Sequence, residues 1–406
     1  MAQSRLKIST SFRRVIRDMI VPGVCEVLLF GYLSWRRVRT KLSRVLFAGS
    51  EQTVVKSVVH ISVMSHQQYY LVQAFRRHDV KSVFVALNTD PDGRLNVGYD
   101  FGVPATLGPR LSMFYRFVLF WGVVMRYDVV HYHFNSFLWG DDGQELPYLK
   151  RAKKVIVFHF RGCDLRSRSA NSKAHPVLNV CQKCDYPEGS CDTEYQRKKI
   201  HRAREFGDLF FVTTPDLAVL FPGSIHVPFI LPAEIDFDAV VPEVKTENVF
   251  RVVTSSNHPG LDGVPYIRKA VSQLISEGYN VELREVEKEP FQQTLSAYMS
   301  ADLYVSKLRM GFYNNSNIET MMMGVANISY IDEKYQSIYS DCPIIVGTPD
   351  TVYERIKFCI ENPSFVSAHA NKGRDFVCRR HDESVVIPLM MEHYNQAFCS
   401  KLCGSK

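Results

Sequence analysis

The sequence lacks several features that would place it in a simple class of protein. It has no internal repeat and no low-complexity tract, which argues against a solenoid and against a disordered chain. Its first strand–helix–strand pattern, residues 54–90, carries no glycine-rich fingerprint of a dinucleotide-binding fold. Outside one loop, its cysteines show no disulfide-framework spacing, so a reducing cytoplasmic compartment fits better than secretion.

Net positive charge is missing from most of the chain. Residues 1–50 hold ten Lys and Arg against two acidic residues, whereas the remaining 356 residues carry 39 basic and 40 acidic side chains. A body that binds nucleic acid would need an excess of basic residues. We therefore expect no nucleic-acid partner.

A run long enough to cross a membrane is missing too. The apolar stretch 19–35 is short for a span of about 20 residues, and no small-residue cleavage site of a signal peptide follows it. Basic residues flank it on both sides, and Phe30, Tyr32 and Trp35 cluster at one end. Residues 1–50 therefore either lie on an anionic membrane surface or pack on the body with a solvated basic face. We expect the first, and hence a cytoplasmic protein that is peripheral on the cytoplasmic face of a membrane.

The clearest pattern in the chain lies at residues 300–332. An apolar strand, Leu303 to Val305, precedes a polar loop, and a helix opens near Asn317 with Glu319 in its first turn. A second strand, Val325 to Ile331, follows. This is the repeating unit of a parallel α/β sheet, in which ligands bind beyond the strand ends and anions bind at helix N-termini.

Three charged residues of this stretch suit a nucleotide-sugar. Lys307 and Arg309 could balance a diphosphate, and Glu319 could accept hydrogen bonds from a pair of sugar hydroxyls. The alternative is an ordinary loop whose glutamate only complements the helix dipole.

The same stretch resembles the donor-site segment of retaining GT-B glycosyltransferases of the family-4 (group 1) type. There the pattern reads roughly "AD…GfG…lEAMA.G.PVI". The matching residues are Ala301-Asp302, Gly311-Phe312-Tyr313, Ile318-Glu319, Met321-Met322-Met323-Gly324 and Val325. The resemblance spans about residues 54–395 and implies an α/β protein of the GT-B fold, with two Rossmann-like domains, parallel sheets and a cleft between them.

The resemblance also implies how the chain is divided. The segments are a basic amphipathic extension 1–50, an N-terminal acceptor-side domain 51–240 with a cysteine-rich loop 163–191, a C-terminal donor-binding domain 249–382, and a last helix 383–406 that crosses back to the first domain.

The implied reaction moves a sugar from a nucleotide-sugar donor to a hydroxyl of a glycan or lipid-linked glycan, with retention, in polysaccharide or glycoconjugate biosynthesis. No cofactor and no catalytic metal is implied, because basic side chains and helix dipoles stabilise the leaving diphosphate. The implied donor-binding residues are Asn257, His258, Lys307, Arg309, Gly311, Tyr313, Asn314 and Glu319.

Two motifs of the first domain predict the acceptor-side wall. The strand Val-Val-His-Tyr-His resembles the family's "DVVH.H" and ends in His133. The loop Arg-Gly-Cys-Asp-Leu-Arg resembles "HGSD.R", with Arg161 in place of the family's histidine, and Asp164 and Arg166 could pair with each other or with substrate. The predicted catalytic residues are His133, Arg161, Asp164 and Glu319.

The donor site departs from the family pattern at three positions. Asp262 stands at the usual lysine of the phosphate clamp, His258 near the usual arginine, and Gly311 where the first of two glutamates belongs. The alternative function is therefore a catalytically degenerate GT-B-like protein that binds a glycan or a partner at the membrane surface.

The cysteine-rich loop contains Cys181-x2-Cys184-x6-Cys191, and Cys163 or His175 could complete a set of four. A C-x-x-C knuckle suits tetrahedral zinc, here as a structural staple of the loop. The alternatives are reduced thiols or a local disulfide.

Overall fold

The computed structural model describes residues 21–46, 54–88, 97–134, 136–140 and 142–403. Two parallel sheets of seven and five strands, each flanked by helices, make up this part of the chain. The expected α/β class with two parallel sheets is confirmed. The predicted boundary between domains 51–240 and 249–382 lies between the last strand of the first sheet and the first strand of the second.

The first sheet has the strand order β3-β2-β1-β4-β5-β6-β7, and every pairing is parallel. Its central strands are buried along their whole length, as expected for a parallel sheet that is covered on both faces. The strands are β1 Ser57–Ser62, β2 Lys81–Ala86, β3 Phe101–Gly102, β4 Val129–His133, β5 Val155–Phe160, β6 Leu209–Val212 and β7 Ile225–His226. The helices that precede the first sheet or connect its strands are α1 Val21–Leu46, α2 His66–Arg77, α3 Pro109–Gly122, α4 Leu146–Arg151, α5 Arg168–Ala174, α6 Glu194–Phe206 and α7 Pro215–Leu220.

Helix α1 packs on the first domain. Cys25 and Leu29 are buried in its core, and Glu26 forms an ion pair with Arg151. Part of the predicted extension thus packs on the body, as in the second interpretation of that segment. Residues 1–20 and 47–50 lie outside the described residues, and of 36–46 only the backbone is described. Within the described residues, no helix is both long enough and apolar enough to span a bilayer.

The second sheet has the strand order β12-β11-β10-β8-β9 and is also parallel. Its strands are β8 Phe250–Ser255, β9 Val281–Val286, β10 Leu303–Val305, β11 Ala326–Ser329 and β12 Ile345–Val346. Its helices are α8 Pro259–Asp262, α9 Val264–Ser276, α10 Phe291–Met299, α11 Asn315–Met322, α12 Glu333–Gln336, α13 Val352–Glu361 and α14 Pro363–His381. Short 3-10 helices lie at Val124–Arg126, Val180–Lys183, Phe237–Ala239 and Ser337–Tyr339.

The last helix, α15 Glu383–Cys403, packs on the first sheet. The Tyr394 hydroxyl lies 2.6 Å from Nδ1 of His131, and the Asn395 side chain accepts a hydrogen bond from the Val55 backbone at 2.7 Å. The chain therefore ends on the domain in which it began, and this contact ties the two domains together.

Candidate active site

The carboxyl ends of the strands of both sheets face a common cleft. The ring of His66, which follows β1, lies 4.7 Å from the ring of Phe291, which follows β9. Gln182, which follows β5, contacts Arg309, which follows β10. Open α/β sheets bind their ligands at this edge, so the ionisable groups that line it are the candidate site residues.

Glu319 lies on α11 and faces the cleft without a partner. Asn314 caps α11 through a side-chain oxygen that accepts from the Asn317 backbone, so the helix begins at Asn315 and not near Asn317. Glu319 therefore lies in the second turn, which corrects the first-turn prediction. Among the described residues nothing donates a hydrogen bond to its carboxylate, and burial raises its pKa to about 8.

The side chain of Tyr70, on α2 of the first domain, lies on the opposite wall of this cleft. Burial raises the pKa of Tyr70, and the charge of Glu319 raises it further. The two groups are thus close enough to interact electrostatically across the domain boundary. A carboxylate that is desolvated and unpartnered is poised to accept hydrogen bonds from a ligand's hydroxyl groups.

Arg309 is the second unpartnered charge. Its side chain is buried, and Nε and Nη1 lack a hydrogen-bond partner among the described residues. Nη2 donates a long bond of 3.4 Å to Oε1 of Gln182, and the guanidinium lies 5.7 Å from the ring of Tyr266. A buried cation without a carboxylate partner is costly unless an anion binds it.

Lys307, in contrast, is already neutralised. Its Nζ lies 2.5 Å from Oδ1 of Asp262, whose other oxygen accepts from Ser256 at 2.6 Å. Asp262 occupies the position at which the resemblance predicted a lysine. Lys307, which follows the neighbouring strand β10, places an ammonium group against it. This pair carries no net charge, so among the described residues that follow β8 and β10, Arg309 is the cation left without an acidic partner.

The other predicted donor residues fall into two groups. Asn257 and His258 lie on the loop after β8, where Asn257 is exposed and the ring of His258 stacks on Tyr186 at 4.0 Å. The remaining predicted residues belong to the loop before α11 and fix its conformation. Gly311 adopts a positive φ of 83°, Tyr313 is buried with its hydroxyl 3.0 Å from Nε2 of His381, and Asn314 is the helix cap.

His133 does not emerge into the cleft as predicted, because it is fully buried. Nε and Nη2 of Arg161 both donate to its Nδ1, at 3.3 and 3.2 Å, so a neutral His133 carries its proton on Nε2. That atom lies 3.0 Å from Nδ1 of His60 and donates to it. His133 therefore positions Arg161, which follows the carboxyl end of β5 and is partly exposed.

His60, His131, His133 and His159 form a buried histidine cluster on one face of the first sheet. Rings of neighbours lie 4.1 to 5.4 Å apart, and burial lowers the pKa of each, that of His60 to about 3. Ligand atoms of His60, His131 and His133 lie within 4.8 Å of one another, a spacing open to a metal ion. The proton that Arg161 fixes on Nε2 of His133 opposes metal binding through that nitrogen.

Asp164 and Arg166 take part in structural contacts and do not pair with each other. The Asp164 carboxylate accepts from the backbone of Arg161 and Gly162, which fixes the loop after β5. Arg166 forms a buried ion pair of 2.6 Å with Asp216, a residue that the sequence pattern did not single out. Asp164 thus shapes the loop that presents Arg161.

The four cysteines of the cysteine-rich loop are free thiols. Burial raises the pKa of Cys163 to about 11, and the neighbouring Cys181 and Cys184 add to this rise. Cys181 is affected in the same way by Cys184 and Cys191. The four side chains thus lie close enough to influence one another. The zinc prediction remains a prediction.

Comparison with known proteins agrees with this geometry. No protein-family model and no curated protein matches the chain. A sucrose-phosphate synthase from Thermosynechococcus elongatus is similar in structure, with 12% identity, a TM-score of 0.54, and coverage of 85% of this chain and 100% of that one. The catalytic domain of starch synthase IV from Arabidopsis thaliana, bound to ADP and acarbose, gives 10% identity, a TM-score of 0.57, and coverage of 85% and 100%.

A further similar structure is an alpha-glucosyltransferase in complex with UDP and DNA, with 10% identity, a TM-score of 0.50, and coverage of 83% of this chain and 98% of that one. At such identities the similarity concerns the fold. The chain has the GT-B fold, as the sequence resemblance implied. The family-4 subtype stays a prediction.

Proposed function

We propose that the protein is a glycosyltransferase that moves a sugar from a nucleotide-sugar donor to a hydroxyl of a glycan or lipid-linked glycan, with retention. The observation that carries the proposal is the guanidinium of Arg309, after β10, and the carboxyl group of Glu319, on α11, neither of which has an ionic partner among the described residues. One group suits an anion and the other suits hydroxyls, and a nucleotide-sugar offers both.

The roles follow from what each group can donate or accept. Arg309 binds the diphosphate and stabilises the charge that develops on it as the glycosidic bond breaks. Glu319 accepts hydrogen bonds from two hydroxyls of the donor. Arg161, held by His133, faces the cleft from the first domain and orients the acceptor. No metal and no cofactor is assigned a step.

A thermal-shift panel tests the proposal. UDP, GDP, ADP and CMP, with their sugars, are added to the full chain, because a ligand that binds only the folded state raises the melting temperature. We expect one nucleotide to give a shift that Arg309→Gln removes. Arg268→Gln, which removes an exposed arginine on α9, is the matched control and should keep the shift.

The absence of any shift would instead favour the catalytically degenerate protein. One observation favours that function: the Asp262–Lys307 pair leaves a single cation where the family's clamp has two. A nucleotide that shifts the melting temperature of the wild type but is not hydrolysed or transferred would support the same conclusion.

The acceptor side of the proposal includes a membrane surface. The outward face of α1 exposes Val27, Phe30 and Trp35, and the outward face of α3 exposes Leu111 and Phe114. The buried Cys25 of α1 belongs to the same apolar cluster as Phe120 and Trp121 of α3, so both helices pack on the same core. The exposed apolar side chains of α1 belong to an extension, residues 1–50, with eight net positive charges, and this combination suits an anionic bilayer. In our proposal the protein binds the cytoplasmic face of that bilayer.

A further inference from the structure

The cysteine-rich loop leaves the first sheet after β5 and reaches the second domain. Its first contact is made by His175, whose Nδ1 accepts from Nζ of Lys334 at 2.8 Å and lies 3.9 Å from Asp332. His175 is buried in this contact. Both partners follow β11, so the loop is anchored beyond the carboxyl end of that strand.

The second contact is the bond from Arg309 to Gln182, beyond the end of β10. The amide oxygen of Gln182 accepts from the Arg309 guanidinium at 3.4 Å. The loop therefore contacts Arg309 through Gln182.

The third contact is the most extensive and lies beyond the end of β8. Oδ2 of Asp185 accepts from the Gly260 backbone at 3.1 Å, and the ring of Tyr186 stacks on that of His258 at 4.0 Å. A Cβ at Gly260 would lie only 2.8 Å from the Lys183 carbonyl oxygen. The backbones thus approach as closely as a glycine permits.

The order of these contacts is the informative feature. His175, Gln182 and Asp185 follow one another along the loop, and their partners follow β11, β10 and β8, which are consecutive strands of the second sheet. The loop therefore runs straight across the carboxyl edge where the donor is proposed to bind, instead of touching the second domain at one chance point.

We propose that residues 175–186 form a strap that holds the two domains closed over the donor phosphate site, and that Asp185 and Tyr186 are its releasable end. This rests on the proposed function for the identity of the ligand, but not for the strap itself. Donor entry requires the Asp185 and Tyr186 contacts to open, and donor retention requires them to re-form over Arg309.

The energetics permit such opening. The His258–Tyr186 ring contact is partly exposed, and the Asp185–Gly260 bond is exposed, so both are weaker than contacts of the same kind in the core. Contacts of that strength open often without unfolding either domain.

Hydrogen exchange read by mass spectrometry tests the strap on the full chain without a ligand. The double variant Asp185→Ala/Tyr186→Ala should speed amide exchange in residues 257–263, since the Gly260 amide loses its acceptor. The control Val177→Ala/Glu188→Ala changes two exposed side chains of the same loop and should leave that exchange unchanged. Unchanged exchange in the first variant would overturn the strap.

Calorimetric titration with inorganic pyrophosphate tests the coupling to the phosphate site. We expect the first variant to bind pyrophosphate about tenfold more weakly than the wild type, and the control to bind it equally well. Equal affinity in the first variant, despite faster exchange, would overturn the coupling. If the wild type binds neither pyrophosphate nor any nucleotide, the proposed function fails, and the exchange result alone decides the strap.

Discussion

At the scale of single residues, the ionisation of Glu319 links the site to stability. Its pKa is raised from 4.5 to about 8, so the folded state holds a proton that the unfolded chain releases. The stabilisation from this proton is complete below pH 4.5 and is lost as the pH rises through 8. The unpartnered carboxylate therefore makes the ligand-free protein weaker in mild alkali.

Glu319→Gln keeps the shape and removes the ionisation. We expect the variant to be more stable than the wild type by about 5 kcal/mol at pH 9, and by about 1 kcal/mol at pH 5. Urea unfolding at both pH values measures this, with Glu354→Gln, an exposed change on α13, as the control. A variant whose advantage does not grow with pH would show that Glu319 is not desolvated.

For the histidine cluster we predict the opposite pH dependence of stability, with a loss as the pH falls. Burial, followed by the charge of Arg161, lowers the pKa of His159 well below 6.5, and neither ring nitrogen has a partner among the described residues. Its contribution to stability is present above pH 6.5 and is lost as the pH falls below that value. His159→Phe keeps the packing against Phe211 and removes both the titration and the unpartnered nitrogens.

We expect His159→Phe to stabilise the protein by about 1 kcal/mol at pH 7, and by more at pH 5. Melting temperatures across this range provide the measurement, and the exposed His201→Phe serves as the control. A destabilised variant at both pH values would indicate that His159 has a bound partner, such as a buried water.

The residue types of the site could be predicted, but not their pairing. Arg309 could be singled out because it follows a strand, and Glu319 because it lies on the helix after that loop. That Lys307 is neutralised could not, because its partner Asp262 is 45 positions away and only the fold brings them together. Gln182 gave no signal either, since a polar residue in a polar loop has no distinctive pattern.

At the scale of elements, the strands were easier to predict than the helix boundaries. Strand β10 matches its prediction, because a short apolar run between polar residues has few other interpretations. Helix α11 begins earlier than expected, because the Asn314 cap and its reciprocal bond with Asn317 outweigh the apolar periodicity on which the prediction rested.

We predict that zinc stabilises the cysteine-rich loop, which has little apolar core of its own. We expect purified protein to contain about one zinc ion per chain, released when the thiols are modified. Released zinc is measured with a chromophoric chelator after a mercurial is added, with Cys181→Ser as the depleted variant and Cys378→Ser, an exposed change on α14, as the control.

Removing the zinc should lower the melting temperature and speed amide exchange in residues 175–186, since the loop would lose its staple. If no metal is found and four thiols react freely, the loop is held by its polar contacts alone. Those contacts include the Asn179 capping box and the bonds from Gln196 to Cys163 and Arg166.

At the scale of the whole molecule, basic charge and exposed apolar side chains belong to the same segment of the chain. Residues 1–50 carry the entire basic excess, and α1, which lies within this extension, packs on the first domain. Cys25 and Leu29 hold one stripe of α1 on the core, while Val27 and Phe30 are 72% and 75% exposed on the other. The body thus binds the helix by one face and leaves a second apolar face outward.

This arrangement predicts binding to anionic vesicles. Full-length protein should float with vesicles of 70% phosphatidylcholine and 30% phosphatidylglycerol. The double variant Phe30→Glu/Phe114→Glu should reduce the bound fraction about tenfold, because the two phenylalanine rings of the wild type would enter the bilayer interface. Val177→Glu/Val244→Glu places the same charges on exposed apolar positions elsewhere and should bind like the wild type.

High salt should weaken wild-type binding, because the basic extension supplies the long-range attraction. Equal flotation of the two double variants would mean that α1 and α3 do not face the lipid, and the acceptor would then be sought in solution.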